Sequence, residues 1–187
     1  MLRHSRLLTL VLLFVAGAAL SLAAMSAIVA SAASGVDADA EAALKKLYAS
    51  VPAAKRIGGQ AKAVLVFPRI VKAGLLVGGQ YGDGALIKAG TIVGHYNSVA
   101  ASYGLQAGVQ SFGYALFLMN DKALAYLDQS NGWEIGVGPS IVIVDQGKAK
   151  TMTSTTLRDD VYAFIFSQKG LMAGAGIQGS KITKTSP

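Results

Sequence analysis

Seven cations, Lys45, Lys46, Lys55, Arg56, Lys62, Arg69 and Lys72, fall within 28 positions, and no Asp or Glu stands between Glu41 and Asp83. Ammonium and guanidinium groups at that density, with no intervening carboxylates, are what a surface needs to hold closely spaced anions. Near an anionic surface each contributes about 1 kcal/mol, and less as salt screens it. The competing reading is a solvated basic face with no ligand, and the run of residues leaves both open.

Other chemistry finds fewer residues. His95 is the only histidine after His4, which leaves no cluster of imidazoles for a metal. Ser98 and Asp83 are near it in sequence, but no nucleophile elbow is present, so a catalytic triad is not expected. A lone imidazole beside Tyr96 reads as a strand residue with a satisfied hydrogen bond. The chain has no cysteine, which excludes disulfides, thiolate metal sites and a thiol nucleophile. The stretch GLLVGGQYGDG, residues 74–84, has the glycine density of a phosphate-binding loop. Its Gly79, Gly82 and Gly84 reverse the spacing of a dinucleotide fingerprint, the next residues (ALIKAG) read as strand, and no P-loop Gly-Lys-Ser/Thr occurs. The expectation is a chain that is not an enzyme, holds no cofactor or metal, and has no nucleic-acid partner.

The glycines recur in a frame. Gly-Leu-x-x-Gly is written at Gly74, Gly104 and Gly170, and a feature written three times points to architecture. Glycine inside strands marks bulges, sharp coiling or close backbone approach. The three segments therefore predict a tightly curled sheet, with a hairpin turn at Asp83-Gly84 and a weaker one at Ala89-Gly90.

The elements that carry these residues are set by spacing. Ala40, Leu44, Leu47, Tyr48 and Val51 make one apolar stripe, predicting an amphipathic helix over 37–50 with its acids at the start and Lys45 and Lys46 further on. Pro52 opens a second short helix and Gly58-Gly59 stops it. AVLVFP (63–68) predicts a buried strand ending at Pro68. Residues 103–119 alternate in their first half and are apolar on both faces in their second, as in a strand entering a covered core. Asn120 or Asp121 caps an interrupting helix. Strands come next at 132–146, in VYAFIF and in GLMAGAGIQGSKITK, with a polar, basic connection over 148–156. The fold class is α+β: a β-rich single domain, a Gly-rich coiled antiparallel sheet or partial barrel with an N-terminal amphipathic helix and one interrupting helix.

The first 32 residues read differently. Arg3 and Arg6 precede an uncharged run from Leu7 to Ala33, ending in Ala30-Ser31-Ala32, the small-x-small pattern of a cleavage site. The expectation is a signal peptide over 1–32 and a domain over 33–187. The run is also long enough to span a bilayer, so an uncleaved anchor is the alternative. VAGA (15–18) has Ala18 where a lipoprotein box would have its cysteine, so lipid modification is not expected. Net charge is +7; without Arg3 and Arg6, 15 basic residues stand against 10 acidic ones, about +5. An exported, basic, periplasmic or secreted domain, associated peripherally with a membrane, is the expected setting.

Four segments in order, KAGLLVGGQYGDG (72–84), SYGLQAGVQSFGYALFLM (102–119), GWEIGVGPSIVIVD (132–145) and FSQKGLMAGAGIQGSKITK (166–184), resemble the SYLF domain family, over about 40–184. The resemblance implies a non-enzymatic domain that binds anionic phospholipid through a basic amphipathic N-terminal helix, with Lys45, Lys46, Lys55 and Arg56 at the matching positions. Lys62, Arg69 and Lys72 extend that candidate set. It implies actin binding only for eukaryotic relatives; for an exported chain none is expected, and phosphatidylglycerol or cardiolipin replaces phosphoinositide as the expected lipid. The alternative is a structural or protein-interaction module of the cell envelope whose surface charge is incidental.

Overall fold

The computed structural model describes residues 35–129, 133–134, 140–144 and 157–186. The expected leader and cleavage site, and the polar connection over 148–156, lie outside the described residues. No described helix is long and apolar enough to cross a membrane. Three helices, α1 (35–50), α2 (Pro52–Gly58) and α3 (Asp121–Leu127), accompany one sheet. Its strands are β1 (Ala63–Lys88), β2 (Thr91–Leu118), β3 (Trp133–Glu134), β4 (Ile141–Ile143) and β5 (Val161–Ser186). The order is β1-β2-β5-β3, with β4 parallel to β5 and the other pairs antiparallel. The domain is α+β, a sheet curled into a half-barrel with a helix at its N-terminal side.

Three of the strands are far longer than the domain is wide. A straight strand of 26 residues runs ~86 Å, about twice the ~40 Å breadth of a compact unit of this size. The strands must bend, and they bend together at the glycine frames. Gly74 pairs with Gly108, Gly108 with Met172, and Gly104 with Gly176, so the three Gly-Leu-x-x-Gly segments stand side by side. Leu76 (φ 66), Gly108 (φ 140) and Gly170 (φ 85) take left-handed backbone there, and the ladder of β1 and β2 slips between Leu75 and Val77. A Cβ on Gly74 would stand 2.5 Å from the Gly78 Cα. Past the bend, β1 meets its own beginning: a Cβ on Gly84 would stand 2.6 Å from the Val66 carbonyl and from the Phe67 ring.

That close approach corrects the expected turn. Asp83 and Gly84 are strand residues paired with Asn97 and Tyr96, and the hairpin turns at Ala89 (φ 50) and Gly90 (φ 80). Positive φ at both central residues is the requirement of a type I′ turn; Gly84 is there for contact, not for φ. Pro68 likewise does not end its strand. It sits where β1 slips against β2 between Phe67 and Ile70, a bulge that needs no donor from it.

Before the bend the sheet is covered on both faces, as the two-sided apolar text of 112–119 requires. Val66, Ala115, Phe117 and Phe164 pack under α1 and α2, against Leu44, Leu47, Ala54 and Ile57. The predicted stripe of α1 thus faces the core. Phe117 meets Phe164 edge to face at 5.2 Å. The opposite face, with Leu65, Phe67, Leu116 and Ala163, packs on Ala123 and Leu127 of α3 and on Leu86, Tyr96 and Ile182 from beyond the bend. Asn120 caps α3, its Oδ1 accepting from the Ala123 amide at 2.9 Å. The Tyr96 hydroxyl donates to Asp128 at 3.0 Å, and burial together with that bond pushes the phenol well above its ordinary range.

Asp160 closes the start of β5. It accepts from Asn120 Nδ2 at 2.8 Å and from the Ser140 amide at 3.0 Å, with Lys122 Nζ 3.7 Å away. The Asn120 bond first, then the Ser140 amide and Lys122, hold its carboxyl below the usual 3.8. The native state therefore takes up this proton less readily than the unfolded chain. The contribution is complete above the ordinary carboxylate range and is lost as pH falls through the lowered native value.

These contacts make two substitutions informative. Gly84→Ala forces backbone and Phe67 apart and costs about 1–3 kcal/mol, roughly 2–4 °C of Tm per kcal/mol. Gly79→Ala meets nothing within 4 Å and stays within ~0.5 kcal/mol of the parent; equal Tm values for the two would contradict the crossing of β1 on itself. Asp160→Asn costs about 1 kcal/mol at neutral pH, because one partly exposed charge-assisted network is weakened. Thermal melts across a pH series should show that gap closing as pH falls below the ordinary carboxylate range.

Candidate functional site

The bend is preceded by a pair of bulges. Phe67 of β1 pairs with Tyr114 and Ile70 with Phe112, so Pro68 and Arg69 together oppose Gly113. On the other side of β2, Phe166 pairs with Gly113 and Lys169 with Ser111, so Ser167 and Gln168 together oppose Phe112. Each outer strand therefore carries one extra residue, within one position of the same level of β2. Bulges of this kind re-aim side chains and bend their strand. Ser167 takes a left-handed backbone (φ 53), and the glycine at 113 leaves room for the Phe166 ring, which a Cβ there would meet at 2.5 Å.

Against this level lies α1. Asp39, Ala43 and Lys46 form one helical stripe beside the buried Ala40, Leu44 and Leu47. Helix and bulges together enclose a cleft of about 430 Å3, walled by that stripe, Pro68 and Arg69, Ser111 to Gly113, and Phe166, Ser167 and Lys169. Lys46, Arg69 and Lys169 are exposed cations on three separate elements, and Asp39 is the one carboxylate among the lining residues. Among the described residues none of the three forms an ion pair. Three cations with one acid over an open, partly apolar floor can hold a singly or doubly charged anion by charge, while Ser111 and Ser167 add hydroxyls.

The structure separates the seven cations named from sequence. Lys46 and Arg69 reach the cleft. Lys45, Lys55 and Arg56 are on exposed faces of α1 and α2, and Lys72 is half-buried on β1. Lys62 stands just before β1, roughly 23 Å from Arg69 at extended-chain spacing, and is 3.6 Å from Asp121. Lys169, absent from that set, joins the cleft from β5. No local signal marks it; only the pairing of Lys169 with Ser111 places it on the wall of the cleft that Arg69 also lines.

His95 lies elsewhere. Its Nε2 is 2.7 Å from Asp37 and its Nδ1 2.8 Å from the Ser186 hydroxyl, so it links the start of α1 to β2 and the end of β5. Asp83 instead accepts from the Tyr81 hydroxyl at 2.7 Å, and the Ser98 hydroxyl is buried without a partner among the described residues. Neither of the two sequence neighbours is engaged with His95. Among the described residues no group of three metal-ligating side chains is present.

The family model described as Ysc84, Las17-binding protein actin regulator, matches residues 99–186. The match takes in most of β2, α3 and all of β5, and with them the Ser111–Gly113 and Phe166–Lys169 walls of the cleft. No curated protein matches the chain. The family is one of binding domains, associated with lipid and actin-patch binding. Two long strands paired through their glycine frames lie within the matched residues, and the match supports a SYLF domain family member over 99–186.

Proposed function

We propose that this domain is a non-enzymatic, peripheral binder of anionic phospholipid at a membrane surface, exported to the cell envelope by its first 32 residues. The observation that carries the reading is the convergence of Lys46, Arg69 and Lys169 on one open cleft. A cleft of this size accepts a phosphate-bearing head group, and the cations of α1 and α2 add long-range attraction around it. The family's association with lipid supports the same reading. Actin regulation, which the family description names, does not extend to a chain carried out of the cell that made it. Phosphatidylglycerol or cardiolipin supplies the head-group chemistry.

Co-sedimentation of the compact unit Val36–Pro187 with phosphatidylglycerol and with phosphatidylcholine vesicles, at two salt concentrations, tests this. Binding is expected to the anionic vesicles alone and to weaken as salt rises. Lys46→Gln, Arg69→Gln and Lys169→Gln should each weaken it by about 1 kcal/mol, roughly fivefold, with the Tm unchanged. Lys62→Gln, whose partner is Asp121, should weaken it less. Binding that ignores both salt and these variants would remove the basic cleft as the site, and binding to neither vesicle would leave a protein-interaction module.

A further inference from the structure

Just beyond the cleft, the bend exposes a cluster of aliphatic side chains. Leu171 is 88% exposed, Leu75 75%, and Val77, Val109 and Leu76 lie between 55% and 63%. They come from three neighbouring strands at one level: Val109 pairs with Leu171 and with Ala73, and Leu75 with Ala107. A regular strand would turn every second side chain inward. Here the left-handed Leu76 and the slipped register around it leave Leu75, Leu76 and Val77 all outward. A leucine held in that conformation is strained, a condition that persists only where the surrounding structure holds it, and such residues cluster at functional sites.

The bend is also uncharged. No Asp, Glu, Lys or Arg occurs between Lys72 and Asp83 on β1, between Lys88 and Asp121 through β2, or between Lys169 and Lys181 on β5. The cations begin at its border. Lys169 is two pairing rows, about 7 Å, from the row of Ala73, Val109 and Leu171, and Arg69 stands before that row on β1. An apolar convex tip bordered by a band of cations has the polarity of an anionic bilayer, with acyl chains below and phosphates above.

We propose that the bend of the three long strands is a membrane-insertion tip: Leu75, Leu76, Val77, Val109 and Leu171 enter the acyl region of an anionic bilayer while Lys46, Arg69 and Lys169 meet the phosphates. This rests on the anionic-lipid reading and adds which end of the domain faces the membrane. A second copy of the chain is the other candidate occupant. In a two-fold pairing of tips each cation band would approach its own copy, a like-charge contact that the anionic surface avoids.

The chain has no cysteine, so one introduced cysteine carries one label. Leu75→Cys and Leu171→Cys, on different strands and both exposed, are labelled with an environment-sensitive dye in the full chain, with Gln60→Cys in the exposed turn after α2 as the distant control. Vesicles contain phosphatidylglycerol and lipids bearing quenchers along the acyl chain. The expected result is a blue shift and acyl-chain quenching at 75 and 171 and neither at 60. Leu75→Ser with Leu171→Ser should weaken vesicle binding at least about tenfold. Salt-sensitive binding to anionic vesicles with no quenching at either tip position would overturn the insertion and leave the lipid reading intact. Loss of binding to all vesicles would overturn both. Self-association in sedimentation velocity that Leu171→Ser abolishes, without quenching on vesicles, would assign the tip to a second copy.

Discussion

Three strands of 26 to 28 residues share one hydrogen-bonded ladder, and such a ladder does not fit a domain of this size unless all three bend at the same level. A single strand could relieve its length with one bulge. A paired set must change direction together, because a strand that bends alone breaks its bonds to both neighbours. The repeated Gly-Leu-x-x-Gly frame meets that condition. It removes Cβ atoms where backbones approach, as between Gly74 and Gly78, and allows left-handed backbone at Gly108 and Gly170.

The bend organises the core as well. By returning over itself the sheet supplies Leu86, Tyr96 and Ile182 as a cover for its own lower face, beside α3. The helices α1 and α2 cover the other face. The domain, which has no disulfide, thereby gains a segment buried on both sides from strands that would otherwise present one wet face. The same geometry has a second consequence at the edge of the covered region. There β1 and β5 each take an extra residue against β2, and Lys46, Arg69 and Lys169 line one cleft beside α1. Beyond the opening nothing among the described residues covers the bend, and its aliphatic side chains face outward. Cleft and apolar tip are two products of one change of direction.

This arrangement sets the division of labour among the basic residues. Cations on α1 and α2 raise the general potential, an effect that falls off with a Debye length of about 8–10 Å at ordinary salt. Those in the cleft act at short range, on elements held by the core. Lys62 belongs to neither group, since it pairs with Asp121 just before the start of β1. A dense run of charge along a sequence is thus divided by the fold into residues with different physical roles.

The sequence by itself determined the local elements. The apolar stripe of Ala40, Leu44 and Leu47 set the face of α1, Pro52 opened α2, Asn120 capped α3, and the two-sided apolar text of 112–119 marked the covered part of the sheet. These depend on interactions within a few residues, and periodicity records them. The glycine frame was legible as curvature but not as position: Asp83-Gly84 had the chemistry of a turn, and only the return of β1 onto Val66 and Phe67 shows that Gly84 serves a contact 17 residues away along the chain. The cleft was half legible. Lys46 and Arg69 stood in the basic run, while Lys169, 100 residues after Arg69, joins them through the register of β5 on β2. Register is a property of paired strands, fixed by burial and bulges across the whole sheet, and the tertiary structure alone decided it.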